Sequence, residues 1–211
     1  MKPSIRDLLS CSPVMPVLVI DQIETAVPLA RALCAGGIRV LEVTLRTKIG
    51  LQAIKEITDQ VPEAIVGVGT VISPEQFALA QTAGARFAVS PGYTPLLGQA
   101  AHELNMPYLP GVFTPSEALT AMHQGYDTLK LYPAREAGGI AMLSAQAGPL
   151  PQLMFCPSGG VSAASAADYL ALDNVICVSG SWLTPKPLLD AMDWDGIRQR
   201  ALTAARLASH S

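Results

Sequence analysis

The chain has 211 residues, half of them hydrophobic, with 14 Lys and Arg against 17 Asp and Glu for a net charge of -3. That length and apolar content suit one large core, so residues 1–211 read as a single domain. No basic block suggests a nucleic-acid groove or an anionic membrane surface, and no apolar run approaches the ~20 residues of a membrane span, so the expected partner is a small molecule.

The start, Met1-Lys2-Pro3-Ser4-Ile5-Arg6-Asp7, turns charged before any apolar stretch and does not read as a signal peptide; the expectation is a cytoplasmic protein. Residues 3–12 suggest a short helix, followed by a strand at 14–20 and a helix at 24–35 that ends on Gly36-Gly37. The same βα rhythm continues with a strand at 38–45 and helix at 49–60, then a strand at 64–71 and helix at 74–83, with Ser73 as N-cap, Pro74 at N1 and Gly84 closing. A strand at 86–90 leads to a helix at 95–105. A strand at 108–113 leads to a helix at 115–123, opened by a Thr114/Glu117 capping box. Strands at 128–132, 153–156 and 175–178 precede helices at 139–147, at 163–171 and at the C-terminus.

Roughly eight βα units at a spacing of about 20 to 25 residues fit a (β/α)8 TIM barrel better than an open doubly wound sheet. The short N-terminal helix could close the barrel's bottom. No linker, low-complexity segment or second compositional domain interrupts the pattern. Cys11, Cys34, Cys156 and Cys177 are far apart with no Cys-x-x-Cys pair, which reads as reduced thiols. His102 and His123 fall on outer helices and His210 at the very end, so no metal site is expected.

Against that frame Lys130 stands out, alone among apolar neighbours in Thr128-Leu129-Lys130-Leu131-Tyr132-Pro133. Side chains alternate along a strand, so Leu129 and Leu131 share one face and Lys130 projects from the other. It needs an ion-pair partner, a water-filled pocket or a task for a neutral amine, since desolvation disfavours an ammonium and frees a nucleophile.

Reactive groups in such barrels sit at the C-terminal strand ends. In Val40-Leu41-Glu42-Val43-Thr44-Leu45-Arg46-Thr47, alternation puts Glu42, Thr44 and Arg46 on one face. A local Glu42–Arg46 salt bridge across the barrel mouth would explain the pair without chemistry. In Gly67-Val68-Gly69-Thr70-Val71 the glycines leave room for close approach to the backbone, and Thr70 is either a site residue or simply a good strand former. The runs Pro157-Ser158-Gly159-Gly160-Val161-Ser162 and Val178-Ser179-Gly180-Ser181-Trp182 are small, polar and rich in backbone amides. Barrels commonly bind phosphate at these two strand ends, with amides, hydroxyls and the following helix as donors.

The remaining lysines, Lys2, Lys48, Lys55 and Lys186, fall at the terminus, in loops or on a helix surface. A buried structural pair between Lys130 and Glu42 is one reading of the exception. A Schiff-base lysine attacking a ketone, whose iminium then acts as an electron sink without a metal, is the other.

Taken together, Glu42-Val43-Thr44-Leu45-Arg46-Thr47, Val66-Gly67-Val68-Gly69-Thr70-Val71, Ser90-Pro91-Gly92, Lys130-Leu131-Tyr132-Pro133-Ala134 and Cys156-Pro157-Ser158-Gly159-Gly160-Val161 resemble the aldolases of 2-keto-3-deoxy-6-phosphogluconate (KDPG) and 4-hydroxy-2-oxoglutarate (KHG) over nearly the whole chain. The resemblance implies a homotrimer of (β/α)8 subunits and a class I aldolase of the Entner-Doudoroff route. It would cleave KDPG to pyruvate and glyceraldehyde 3-phosphate, and KHG to pyruvate and glyoxylate, with no cofactor. It further implies that Lys130 forms the Schiff base and Glu42 is the general acid/base. Arg46 and Thr70 would hold the pyruvate carboxylate, Pro91 and Tyr132 would line the pocket, and Ser158, Gly159, Gly160, Gly180 and Ser181 would bind phosphate. Relatives commonly carry Phe at Tyr132, an acidic or small residue at Arg135 and Gly at Ser179, all at the pocket rim or phosphate loop, where substrate preference is set.

Three alternatives remain at this stage: an aldolase for the galactonate epimer, a phosphosugar isomerase in which Lys130 acts electrostatically, and a non-catalytic phosphometabolite-binding barrel.

Overall fold

The structure, a computed structural model, describes residues 3–207, so Lys2 and His210 lie outside the described residues. Helix α1 (Ile5–Leu9) forms because Ser4 and Asp7 cap each other. The Asp7 amide donates to Ser4 Oγ at 3.1 Å and the Ser4 amide to Asp7 Oδ2 at 2.8 Å.

The strands are β1 (Val14–Leu18), β2 (Val40–Thr44), β3 (Ile65–Gly69), β4 (Phe87–Val89), β5 (Tyr108–Leu109), β6 (Gly111–Val112), β7 (Thr128–Leu131), β8 (Met154–Pro157) and β9 (Val178–Gly180). They pair in parallel as a six-stranded sheet in the order β5-β4-β3-β2-β1-β9 and a three-stranded sheet in the order β6-β7-β8. Two seams join these into the (β/α)8 barrel. The first is Pro110, which has no amide to donate and divides the strand expected at 108–113, so Tyr108 and Leu109 pair with β4 while Gly111 and Val112 pair with β7. Its carbonyl still accepts from the Lys130 amide at 2.8 Å. At the second seam, bridges Phe155↔Val175 and Ser158↔Ser179 tie β8 to the chain entering and forming β9. The strand expected at 175–178 is therefore shared, bonding first to β8 and then to β1.

Around the barrel run α2 (Ile23–Ala35), α3 (Gly50–Gln60), α4 (Glu75–Thr82), α5 (Pro95–Glu103), α6 (Pro115–His123), α7 (Gly139–Ala147), α8 (Ala166–Leu170), α9 (Lys186–Asp190) and α10 (Trp194–Ala205). The Thr114/Glu117 capping box forms as expected. At α4 the expected Ser73 cap is replaced, because Gln76 Oε1 accepts from the amides of Ile72 and Ser73 at 2.7 and 3.2 Å. The helix expected at 163–171 begins only at Ala166, after a turn in which Ser165 Oγ accepts from the Ser162 amide. The terminal helix is two helices, separated at Met192 (φ 51), with Asp193 capping α10. Gly36 lets the end of α2 approach α10, since a Cβ there would run into Ala201. Among the described residues no helix is long and apolar enough to cross a membrane.

Alternation along the strands divides the apolar residues into two cores. Val43, Val68, Leu129, Leu131 and Val178 face the helices, while Leu8 and Leu9 of α1 pack with Met15, Val40, Ile65, Phe87, Leu109, Cys156 and Cys177 inside the barrel. Arg6 reaches Thr128 Oγ1 at 3.2 Å at the start of β7, so α1 plugs the N-terminal mouth as expected. Each large side chain buried this way contributes ~1.5–3 kcal/mol relative to exposure, and the interior above the plug is left to polar residues.

Candidate active site

With Leu129 and Leu131 turned to the helices, Lys130 enters the barrel, where it is 5% exposed against 1% for Glu42. Its Nζ donates to both Glu42 oxygens, at 3.2 and 3.3 Å, and lies 5.3 Å from the centre of the Tyr132 ring. The pairing answers the exception that the sequence posed: the buried ammonium has a carboxylate partner and an aromatic face. Gly69, beside Glu42 on β3, makes room for the carboxylate, because a Cβ there would collide with it. Below them the Sγ atoms of Cys156 and Cys177 are 3.4 Å apart. The hydrogen bond to Cys156 and then burial raise the Cys177 thiol well above its usual range, and the charge of Glu42 adds to the rise.

Arg46 is not on the strand face that alternation assigned to it. Strand β2 ends at Thr44, whose Oγ1 donates to the Leu18 carbonyl at 2.9 Å, and Thr47 Oγ1 donates to the Ile20 carbonyl at 2.8 Å. These two bonds fasten a turn that carries Arg46 out to solvent, where it has no ion-pair partner among the described residues. The Glu42–Arg46 salt bridge therefore does not form; Glu42 belongs to Lys130. Thr70 directly follows β3 with φ 63, a left-handed conformation rare for a β-branched residue. Pro91, half-buried after β4, is reached closely by Gly111, where a Cβ would meet the Pro91 carbonyl. Ser90 Oγ holds this turn by bonding the Gly92 carbonyl at 2.8 Å and the Tyr108 hydroxyl.

Bridge Ser158↔Ser179 sets the two glycine-containing runs side by side. Gly159 and Gly160 have φ 89 and 76, and the amides of Gly159, Gly160, Val161, Ser181 and Trp182 meet no acceptor among the described residues. The following helix adds little, since α8 has only five residues and starts well past the loop. Ser179 is fully buried, and its hydroxyl is without a partner among the described residues.

Lys130, Glu42 and Tyr132 are thus brought into contact, and Ser158, Gly159, Gly160, Gly180 and Ser181 into one loop pair. Arg46, Thr70 and Pro91 follow β2, β3 and β4 at the same end of the barrel, without a direct bond to the lysine. The sequence reading missed the support roles of Ser90 and Tyr108; at Gly69 it expected close approach to the backbone but did not name the Glu42 carboxylate as the group that approaches. Among the described residues no group of three or more His, Cys, Asp or Glu could hold a metal ion.

A parallel (β/α)8 barrel with a buried amine and carboxylate at its centre and open amides at its last two strand ends defines an enzyme working at the C-terminal mouth. Residues 5–200 match the family of KDPG and KHG aldolases, and the chain belongs to that family of carbon-carbon lyases. It is 50% identical over 203 residues to the KHG/KDPG aldolase of Escherichia coli strain K12, covering 96% of this chain and 95% of that one. Among solved structures it is similar to a KDPG aldolase from Legionella pneumophila with pyruvate captured at low pH as a covalent carbinolamine intermediate. That pair shares 43% identity and a TM-score of 0.95 over 97% of this chain and 100% of the other. The KDPG aldolase of Zymomonas mobilis ZM4 with 3-phosphoglycerate is 41% identical, with a TM-score of 0.93 over 99% and 98% of the two chains.

Proposed function

We propose that this chain is a class I aldolase that cleaves KDPG to pyruvate and glyceraldehyde 3-phosphate, and KHG to pyruvate and glyoxylate. The observation that carries it is the buried Lys130–Glu42 pair at 3.2 Å in a chain of this family.

In this reading the Lys130 amine attacks the C2 ketone, and loss of water from the carbinolamine gives the iminium. The C3–C4 bond breaks with its electron pair drawn toward the iminium nitrogen. Glu42, through a water, takes the proton of the C4 hydroxyl as that carbon becomes the aldehyde. The resulting enamine is protonated at C3 by the same carboxyl group, and water hydrolyses the imine to release pyruvate and the free lysine. Arg46 and Thr70 hold the C1 carboxylate, a guanidinium being suited to bidentate binding of a carboxylate. Pro91 and Tyr132 line the pocket, while Ser158, Gly159, Gly160, Gly180 and Ser181 receive the phosphate. The reaction as written uses no cofactor.

The same reading makes the chain one aldolase domain, cytoplasmic and homotrimeric. The free thiols of all four cysteines support a reducing compartment. Exposed Ile72, Leu96 and Phe113 follow three successive stretches of the barrel wall, β3, β4 and β6, and support a subunit contact there. Sedimentation of the purified protein measures the assembly. Borohydride reduction in the presence of pyruvate tests the chemistry: the Lys130 peptide should gain the mass of a reduced pyruvyl adduct, and an unmodified peptide refutes the imine. A pyruvate-release assay with KDPG, its galactonate epimer and KHG ranks the substrates.

A further inference from the structure

Arg135 follows β7 in the segment that packs against the glycine loop, and the chemistry above gives it no task. The carbonyls of Ser158, Gly159 and Gly160 all accept hydrogen bonds from this segment: from the Ala134 amide at 2.7 Å, the Arg135 amide at 3.1 Å and Arg135 Nη2 at 2.8 Å. In a trans peptide the carbonyl and the next residue's N–H point in opposite directions. Turning these three carbonyls toward residues 134 and 135 therefore turns the amides of Gly159, Gly160 and Val161 the other way, where they meet no acceptor among the described residues. The side chain lies flat on the loop, for a Cβ on Gly160 would collide with the Arg135 side chain. Arg135 thus closes the third of the bonds that aim the amides, and it does so with a side chain.

It also brings charge. Residues 157–162 and 178–184 contain no Asp, Glu, Lys, Arg or His: their residues are Pro, Ser, Gly, Val, Trp, Leu and Thr. Arg135 is exposed and has no carboxylate within ion-pair distance among the described residues, including its neighbour Glu136. An uncompensated guanidinium on the carbonyl side of this one turn still raises the attraction for a dianion held by the amides on its other side, an effect that falls off with salt.

We propose that Arg135 is a specificity-determining residue: it fixes the Gly159–Gly160 turn with its amides outward and supplies the positive charge that makes the site prefer a phosphorylated keto acid over the same keto acid without phosphate. The proposal rests on the aldolase reading for its substrate and on the loop geometry for its mechanism. Arg135→Ala removes both functions, Arg135→Gln keeps a donor for the Gly160 carbonyl without charge, and Arg135→Lys keeps charge without the planar fork.

With KDPG, Arg135→Ala should lower kcat/KM by about tenfold, chiefly through KM, while kcat/KM for 2-keto-3-deoxygluconate stays within about twofold. Arg135→Gln and Arg135→Lys should fall between wild type and Ala, and the wild-type preference for KDPG should shrink at high ionic strength. An equal loss on both substrates, or no loss on KDPG, overturns the proposal. Calorimetric titration with inorganic phosphate separates it from the aldolase reading: a wild type that forms no pyruvate imine refutes that reading. A roughly tenfold weaker phosphate affinity in Arg135→Ala would still uphold the role of Arg135, and an unchanged affinity would overturn it.

Discussion

The carboxylate of Glu42 occupies the space that a side chain at Gly69 would need. Residue 69 is the last of β3, paired with Thr44 across the sheet, so the carboxylate that Lys130 holds is seated against bare backbone. Gly69→Ala should displace it while leaving a barrel that still folds, at a cost of ~1–3 kcal/mol for overpacking. A shift of about 1 Å in a proton-transfer group can cost ~100-fold in rate, and kcat for pyruvate release should fall on that order. An unchanged kcat would mean that the carboxylate relocates freely.

Replacing the two members of the buried pair distinguishes a structural from a chemical role. Lys130→Met leaves Glu42 charged and unpartnered at 1% exposure, which should cost ~3–5 kcal/mol in denaturant unfolding. Adding Glu42→Gln removes that stranded charge, so the double variant should recover most of the stability. Neither should turn over. Recovery of stability without recovery of activity assigns chemistry to the pair; measurable turnover in either variant removes Lys130 from the reaction.

Arg46 offers the opposite combination. It is exposed and unpaired among the described residues, so Arg46→Ala should leave stability within ~0.5 kcal/mol. If it clamps the substrate carboxylate, the pyruvate concentration needed for half-maximal imine trapping should rise by about 10- to 100-fold. Unfolding curves and trapping titrations on the same preparation make the comparison, and an unshifted titration would take Arg46 out of the site.

Burial raises the thiol of Cys34, at the end of α2, from 9.0 to about 11, with Glu63 adding to the rise and Arg39 opposing it. The folded protein then keeps a proton that the unfolded chain releases, so this contribution to stability is fully present below about pH 9 and is lost as pH rises toward about 11. Cys34→Ala should show a shallower decline of the denaturant midpoint between those pH values. Parallel declines would exclude Cys34 as a source of the alkaline loss.

Much of this arrangement was written in local patterns. The βα rhythm, the Thr114/Glu117 box and the isolation of Lys130 in an apolar strand depend on neighbours within a few residues, and each is found in the fold. Where contacts between distant segments decide, the sequence was mute. The Thr44 and Thr47 bonds to the Leu18 and Ile20 carbonyls end β2 before Arg46, and simple alternation had carried that residue into the barrel. Pro110 splits a strand that its apolar pattern made continuous. The Arg135 contact with Gly160 links residues 25 positions apart, and neither residue type announces the other.

Thr70 at φ 63 combines strain with placement at a strand end. A non-glycine residue in the left-handed region costs roughly 1–2 kcal/mol, while glycine there adds chain entropy to the unfolded state worth ~0.4–1 kcal/mol. Thr70→Gly should therefore stabilise the fold slightly, by up to ~1 kcal/mol. If the Thr70 hydroxyl binds the substrate carboxylate, the same change should weaken pyruvate capture by about tenfold. Stability and affinity would then move in opposite directions, as expected where backbone strain is held for function. A variant gaining stability with unaltered trapping by pyruvate would show that the hydroxyl does not hold the carboxylate.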